Sequence, residues 1–481
     1  MIVMNSLGYK LVLIALAVVM LCGVFKTQQL LNHDREALGL TKLTPLQNAP
    51  PMLAFTTVAL GGFRGLIANI LWIRATELQE QEKFLEMAQL ADWITKLEPH
   101  YVQVWLNQAW NMAFNISVKF ASPEDRWRWV QRGISLLRDQ GLVYKPQEAL
   151  IYRELSWMYQ CKMGGSTDDA NQFYKQAWFL EMQELFKGKP NLDQLINPTT
   201  PEAIQRLQIL THKYGLNPQT MREVDNDYGP LEWRLPDAHA IYWAELGRRL
   251  AKPKDKESLR RSIYQSMQQA CYGGRLTEIG KDRKTMVVGP NFDMVKKVNL
   301  AYETLIAEEP DSGQAGSMRT SHRNFLMTII YLLYTDGRAR DAQKWFDYTR
   351  KTYPQSMPPN YTLDVYAIER LGVQLTGTDR NKTTAAIKGI LRQTYVALAQ
   401  DLDDKAFNLD KIAQKAWDYY ESKIPKSSYV RVGLDPMPVL KKLVLDEVLD
   451  PETGMSPEFA AIVRSKLNLP AQPHSSEPNS D

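Results

Sequence analysis

The feature that most constrains this chain is a recurring order of large, small and aromatic residues at helical spacing. Tyr152, Leu155, Ser156 and Tyr159 place an aromatic, a leucine, a small residue and a second aromatic along one helical face. A Gly164-Gly165 turn follows, and Ala170, Tyr174 and Ala177 then give small, aromatic, small on a second helix. Pro146 closes the helix before them. Trp243, Leu246, Gly247 and Leu250 restate the first half of the pattern, with Ile263, Met267 and Ala270 behind it. Leu326, Leu333 and Gly337 lead in the same way to Ala342, Phe346 and Pro354. Near the start, Leu97-Glu98-Pro99 ends one helix, and Trp105 with Ala109 opens the next. Small residues belong where two antiparallel helices cross closely, and aromatics fill the space towards the next pair. One such hairpin cannot bury its own apolar face, so hairpins must stack. The expected fold is therefore all-α, a solenoid of helical hairpins with irregular inserts. Ile387–Leu391–Tyr395 and Ile412–Trp417–Tyr420 extend it towards the C-terminus. Trp105, Trp157, Trp243 and Trp345 are expected in its core rather than in a ligand cage.

These hairpins resemble the tetratricopeptide-repeat family in degenerate form, with uneven spacing and long insertions between units. The resemblance covers roughly residues 70–182 and 236–400 and implies a protein-binding solenoid. The segments Leu60-Gly61-Gly62-Phe63-Arg64-Gly65 and Tyr228 to Pro236 (YGPLEWRLP) are also similar to membrane-anchored repeat proteins of bacteria. That second resemblance implies no activity.

Leu11 to Phe25 is uncharged, and with Ser6 to Tyr9 it approaches the length needed to span a bilayer, interrupted only by Lys10. A cleaved signal peptide is the rival reading. No small-residue cleavage site follows the run, so an uncleaved anchor over residues 1–27 is expected. Lys26, Arg35 and Lys42 outnumber Lys10, which favours a cytoplasmic C-terminal side. A short N-terminal tail favours export of the rest, and an extracytoplasmic body is the expectation. A second apolar stretch, Met52 to Ile73, holds Arg64, which is costly in lipid. It is read as the first buried helix of the body, with a second span or an interfacial helix as the alternatives.

The expected organisation is an anchor over 1–27, a linker over 28–51 ending in Asn48-Ala49-Pro50-Pro51, and helical repeats over 52–186. An irregular insert over 187–236 follows, then repeats over 237–469 and a disordered tail over 470–481. Thr200-Pro201-Glu202 announces one short helix inside the insert. Residues 272–290 and 307–321 read as loops. The Tyr228 to Pro236 segment is either a rigid loop lining a groove or a plug docked through Trp233.

Net charge is +4, too balanced to imply nucleic acid by itself, and no nucleic-acid partner is expected. Between Arg248 and Lys284, however, 11 basic residues face 4 acidic ones. The candidate partner-binding residues are exposed positions of the insert loop and of this basic stretch: Trp233, Arg234, Arg248, Arg249, Arg260 and Arg261. Anionic lipid is an alternative target for the basic stretch. Catalytic patterns are missing. The six histidines show no ligand spacing, Cys161 and Cys271 form no C-x-x-C, and neither a phosphate-binding loop nor a nucleophile elbow occurs. No catalytic residue, metal or cofactor is expected. Asp225-Asn226-Asp227 is a D-x-D triplet of the kind that holds a metal and a sugar nucleotide, but no doubly wound sheet is expected around it. The reading is a membrane-anchored protein-interaction scaffold in bacterial envelope assembly or secretion. The alternative is an enzyme or accessory subunit acting on envelope glycans through the insert loops.

Overall fold

Helix α1 (Ser6–Ala37) carries the apolar run. Its segment Val12–Asp34 has a mean hydropathy of 1.8 and none of it is buried, so it is long and apolar enough to cross a membrane. At ~1.5 Å per residue the whole helix is roughly 48 Å long, more than the ~30 Å of a hydrocarbon core. The computed structural model describes residues 6–37, 64–99, 101–165, 168–279, 285–308, 313–359, 361–370, 380–424, 433–451 and 454–470. The expected linker end Asn48 to Pro51, the first half of the second apolar stretch, the tail after Pro470 and His100 lie outside them.

The described chain is helical almost throughout. After α1 come α2 (Arg64–Glu80), α3 (Phe84–Leu97), α4 (Val102–Trp110), α5 (Pro123–Ser135), α6 (Ala149–Trp157) and α7 (Asn171–Phe186). The next are α8 (Leu192–Ile196), α9 (Pro201–His212), α10 (Pro218–Tyr228), α11 (Pro236–Leu250) and α12 (Pro253–Gly273). Strands β1 (Arg275–Ile279) and β2 (Thr285–Gly289) follow, then α13 (Val295–Glu308), α14 (Gly313–Thr335), α15 (Ala339–Thr352) and α16 (Leu363–Arg370). Helices α17 (Arg380–Ala399), α18 (Asp403–Lys423), α19 (Met437–Val448) and α20 (Pro457–Lys466) complete the order. Two compact units form, each discontinuous in sequence. Unit 1 is Met1–Glu181, Asn191–Met221 and His239–Ile263, and unit 2 is Met182–Pro190, Arg222–Ala238 and Tyr264–Asp481.

Unit 1 begins with the α2–α3 hairpin, where Ala68, Ala75 and Leu78 meet Met87 and Ile94. The turn closes at Glu82, whose φ is 58°. Three helices then run on into π-helical turns: α4 into Asn111–Ile116, α5 into Leu136–Gly141 and α6 into Met158–Met163. The small residues do sit at close crossings. A Cβ on Gly133 of α5 would lie 2.8 Å from the Ala109 carbonyl oxygen, and one on Gly247 of α11 would lie 2.6 Å from the Tyr152 Cβ. Tyr152, Leu155, Ser156 and Tyr159 are all buried, as are Trp105 and Trp243. Trp157 is exposed and Trp345 only half-buried, so the tryptophan-core expectation fails at Trp157, which faces outwards from α6.

A buried ion pair ties the third π-helical turn of unit 1 to α7. Lys162 and Asp168 are both buried and paired. Asp168 also accepts from the Ala170 N–H at 2.9 Å and from the Tyr174 hydroxyl at 3.3 Å. The Lys162 ammonium lies 5.1 Å from the Phe114 ring centre. Burial alone would raise the Asp168 pKa, but the Lys162 partner and the Ala170 N–H together hold it below the ordinary carboxylate value.

Unit 2 holds the only described strands, paired antiparallel from Arg275↔Gly289 to Ile279↔Thr285. Part of 272–290 is thus a hairpin where a loop was expected. Its C-terminal core joins Ile387, Ile390 and Leu391 of α17 to Leu409 and Ile412 of α18, Leu440 and Val444 of α19 and Val463 of α20. In α14, His322 is buried, with Nε2 2.8 Å from Asn299 Oδ1 and Nδ1 2.9 Å from the Tyr353 hydroxyl. Donation from Nε2 and acceptance at Nδ1 satisfy the neutral ring, and burial pushes its pKa down to about 4. The segment 187–236, expected to hold one short helix, contains α8, α9 and α10. The Thr200 start signal does work as read: its hydroxyl accepts from the Ala203 N–H at 3.2 Å, with Pro201 in the first turn.

Candidate functional site

The sequence Arg126-Trp127-Arg128-Trp129 with Arg132 lies on α5, which Ser122 caps by accepting from the Asp125 N–H at 3.3 Å. Helical spacing turns Trp127 inwards, while Arg128 and Arg132 stay at the surface. The π-helical turns carry Arg138 and Tyr159 to the same place, α7 brings Trp178 and Glu181, and the end of α9 brings Lys213 and Tyr214. Apart from Arg126, which pairs with Asp168 and Asp169, and Trp129, these side chains line a cleft of 510 Å³ within unit 1.

Its floor is aromatic and centred on Trp178. The ring centres of Tyr159, Tyr214 and Trp127 lie 5.3, 5.6 and 6.5 Å from it, all edge-on, and His239 lies at 4.8 Å. The Trp178 indole N–H is buried and donates to no described group. Burial raises the phenol pKa of Tyr159, and burial with the adjacent Glu181 raises that of Tyr214, so both stay neutral.

Its rim is cationic. Four basic residues and one carboxylate line the cleft. That carboxylate, Glu181, is held by the Gln131 amide at 2.6 Å and the Tyr214 hydroxyl at 3.0 Å. Lys213 stands 3.7 Å from it. Arg128 pairs with Asp125 at 2.9 Å, and Arg138 takes Asp139 through two contacts of 2.6 and 2.7 Å. Both acids lie outside the cleft, and they offset part of the charge of Arg128 and Arg138. The Arg132 guanidinium lies over the Trp129 ring at 4.8 Å. An aromatic floor under a basic rim suits a ligand that is flat or apolar at one point and anionic beside it.

The residues singled out from sequence lie elsewhere. Trp233 and Arg234 are not surface positions, being 2% and 3% exposed. Arg234 is held by Glu232 through contacts of 2.8 Å, by Gln183 at 2.7 Å and by Glu278. A buried guanidinium needs such partners, and they occupy the donors that a ligand would use. Arg248 and Arg249 are anchored on the buried carboxylate of Glu245, at 2.6 and 3.0 Å. Arg261 pairs with Glu257 and Arg260 is half-buried. Three cations of the basic stretch are thus held by carboxylates, Arg248 and Arg249 by Glu245 just before it and Arg261 by Glu257 within it.

The insert loop does line a groove. A second cleft, of 810 Å³ and within unit 2, is walled by Pro230 to Glu232, Arg234, Arg275, Asp336, Arg338 and the start of α18. Five cations and six carboxylates line it, so the charges nearly cancel. The D-x-D triplet props up this loop: Asp225 accepts from the Leu231 N–H at 2.8 Å, and Lys297 donates to the Asn226 carbonyl at 2.6 Å. Among the described residues, no three histidine, cysteine, aspartate or glutamate side chains gather as a metal site.

The composition rule that flagged residues 248–284 counted charge along the chain and missed α5. The alternation of tryptophan and arginine over 126–132 was the available signal. No protein-family model, curated protein or solved structure matches the chain.

Proposed function

We propose that this protein is a membrane-anchored, non-catalytic scaffold that holds an acidic segment of another protein. Helix α1 anchors it in the cell membrane, and the helical body, placed outside the cytoplasm, recruits partners for envelope assembly or secretion. The observation that carries the reading is the unit 1 cleft, where the aromatic floor around Trp178 meets a rim of Arg128, Arg132, Arg138 and Lys213. A peptide with carboxylates beside an aromatic side chain meets both parts at once. The helical-hairpin pattern in the sequence supports a binding role, because stacked hairpins present extended surfaces.

The test is fluorescence anisotropy with a labelled peptide of alternating glutamate and tyrosine, added to the full chain in detergent micelles. Saturable binding that weakens with salt is expected. It is lost in the double variant Arg128→Glu/Arg132→Glu and kept in Arg275→Glu. Both α5 positions are exposed, so reversing them leaves the core intact. Binding that ignores the α5 reversal, or no binding, sinks the reading.

A further inference from the structure

Helix α2 changes character along its length as well as around it. Its inner face, Ala68, Leu71, Trp72, Ala75 and Leu78, packs in the α2–α3 hairpin core. On the outer side, Leu66, Ile70 and Ile73 are 55, 57 and 62% exposed. These three follow i, i+4, i+7 and form one apolar strip over the N-terminal turns. The last turns are different: Thr76, Glu77, Gln79 and Glu80 face outwards there. Single exposed apolar residues such as Leu85 are ordinary on any surface, whereas three on one strip call for a partner.

We propose that the N-terminal half of α2 rests in the membrane surface, giving the body a second lipid contact beyond α1. The occupant follows from the gradient. A protein groove or a second copy of the chain would take an apolar stripe along the whole helix. A medium that is apolar at one end and aqueous at the other is a bilayer boundary. The apolar end is also the end that the chain reaches from the anchor: residues 38–63 join Ala37 to Arg64, and Met52 to Phe63 within them is uncharged. Stretched out, that connection reaches at most roughly 90 Å, so it permits this contact without forcing it. Trp93 of α3, the other helix of the hairpin, is half-exposed, and tryptophan favours the headgroup level.

The proposal rests on α1 being the anchor, and the experiment separates the two. Nitroxide labels are placed one at a time in the full chain, in a Cys161→Ala/Cys271→Ala background, and reconstituted into vesicles of equal parts phosphatidylcholine and phosphatidylglycerol. The native Cys22 in α1 reports the anchor. Ile70→Cys and Ile73→Cys report the apolar strip, and Glu77→Cys and Glu80→Cys the polar end, each with Cys22→Ala. Collisions with oxygen, which partitions into lipid, are compared with collisions with a water-soluble nickel chelate. Expected is a several-fold excess of oxygen over nickel accessibility at positions 22, 70 and 73, and the reverse at 77 and 80. Water-like labels at 70 and 73 with a lipid-facing Cys22 would overturn the α2 contact and leave the anchor standing. A water-facing Cys22 would overturn both. Labels at 70 and 73 closed to both agents would show a protein covering and overturn the contact. As a check free of cysteine changes, benzoylphenylalanine at Ile70 should form phospholipid adducts on illumination; adducts only to protein would overturn it.

Discussion

Unit 1 and unit 2 differ in the balance of charge that lines their clefts. The cleft of unit 1 is lined by four cations, of which Arg138 is mostly buried, and one carboxylate, while its interior holds a charged pair, Lys162 with Asp168. The cleft of unit 2 mixes six carboxylates with five cations, among them the buried Arg234 held by Glu232 and Glu278, while its interior also holds the neutral His322 network. The balance of cations and carboxylates at the lining sets the local field, so size is a poor guide to which cleft attracts a ligand. The larger cleft of unit 2 has little net field, and the smaller one of unit 1 has an excess of positive charge.

The strongest way to break this comparison is to remove the buried charge in unit 1. Asp168→Asn leaves Lys162 charged, buried and without its anion, at a cost of about 3–5 kcal/mol. Hydrogen exchange read by mass spectrometry should show that loss in α6 and α7, with unit 2 protected as before. In the unaltered chain, Asp168 contributes stability above the ordinary carboxylate pKa, and that contribution is lost as the pH falls through its depressed folded value.

The next test sharpens the contrast through pH. The folded His322 pKa lies near 4, against 6.5 for a free ring. The unfolded chain takes up a proton first as the pH falls, so protection in α14 should decline between those values, by about 3 kcal/mol at most. His322→Gln should flatten that response. In unit 1, burial pushes Glu154 up to about 7, from 4.5. The sign reverses: its contribution is complete below the unfolded value and is lost as the pH rises towards the folded one. A loss of about 2 kcal/mol is expected after allowing for partial exposure. Glu154→Gln should remove it, and protection in α6 should then be level between pH 4.5 and about 7. The smallest effect belongs to the rim. Arg132→Ala should weaken acidic-peptide binding by roughly fivefold, about 1 kcal/mol, with a shallower salt dependence.

The sequence spoke clearly where local rules decide. Thr200 and Pro201 begin α9 because capping needs only neighbours in the chain, and Gly247 marks a crossing because any side chain there meets Tyr152. It was silent where partners come from far away. Nothing near Arg234 announces Gln183 or Glu278, and the pairing that buries it cannot be counted from composition. The unit 1 cleft is of that second kind, since it draws on α5, two π-helical turns, α7 and the end of α9. The hairpin β1–β2 was missed because glycines and charges around 272–290 look like loop whether or not two short strands pair across them.

The length of α1 has a consequence for how often partners meet. Under the anchor reading, a helix of this length outspans the hydrocarbon and carries its polar end clear of it. The connection beyond, residues 38–63, can span at most roughly 90 Å. A body anchored in this way would stay in a layer beside the bilayer instead of exploring the whole compartment. For a partner fixed in the same membrane, that confinement acts as an effective concentration in the millimolar range. A cleft whose solution affinity is only micromolar would then be occupied most of the time.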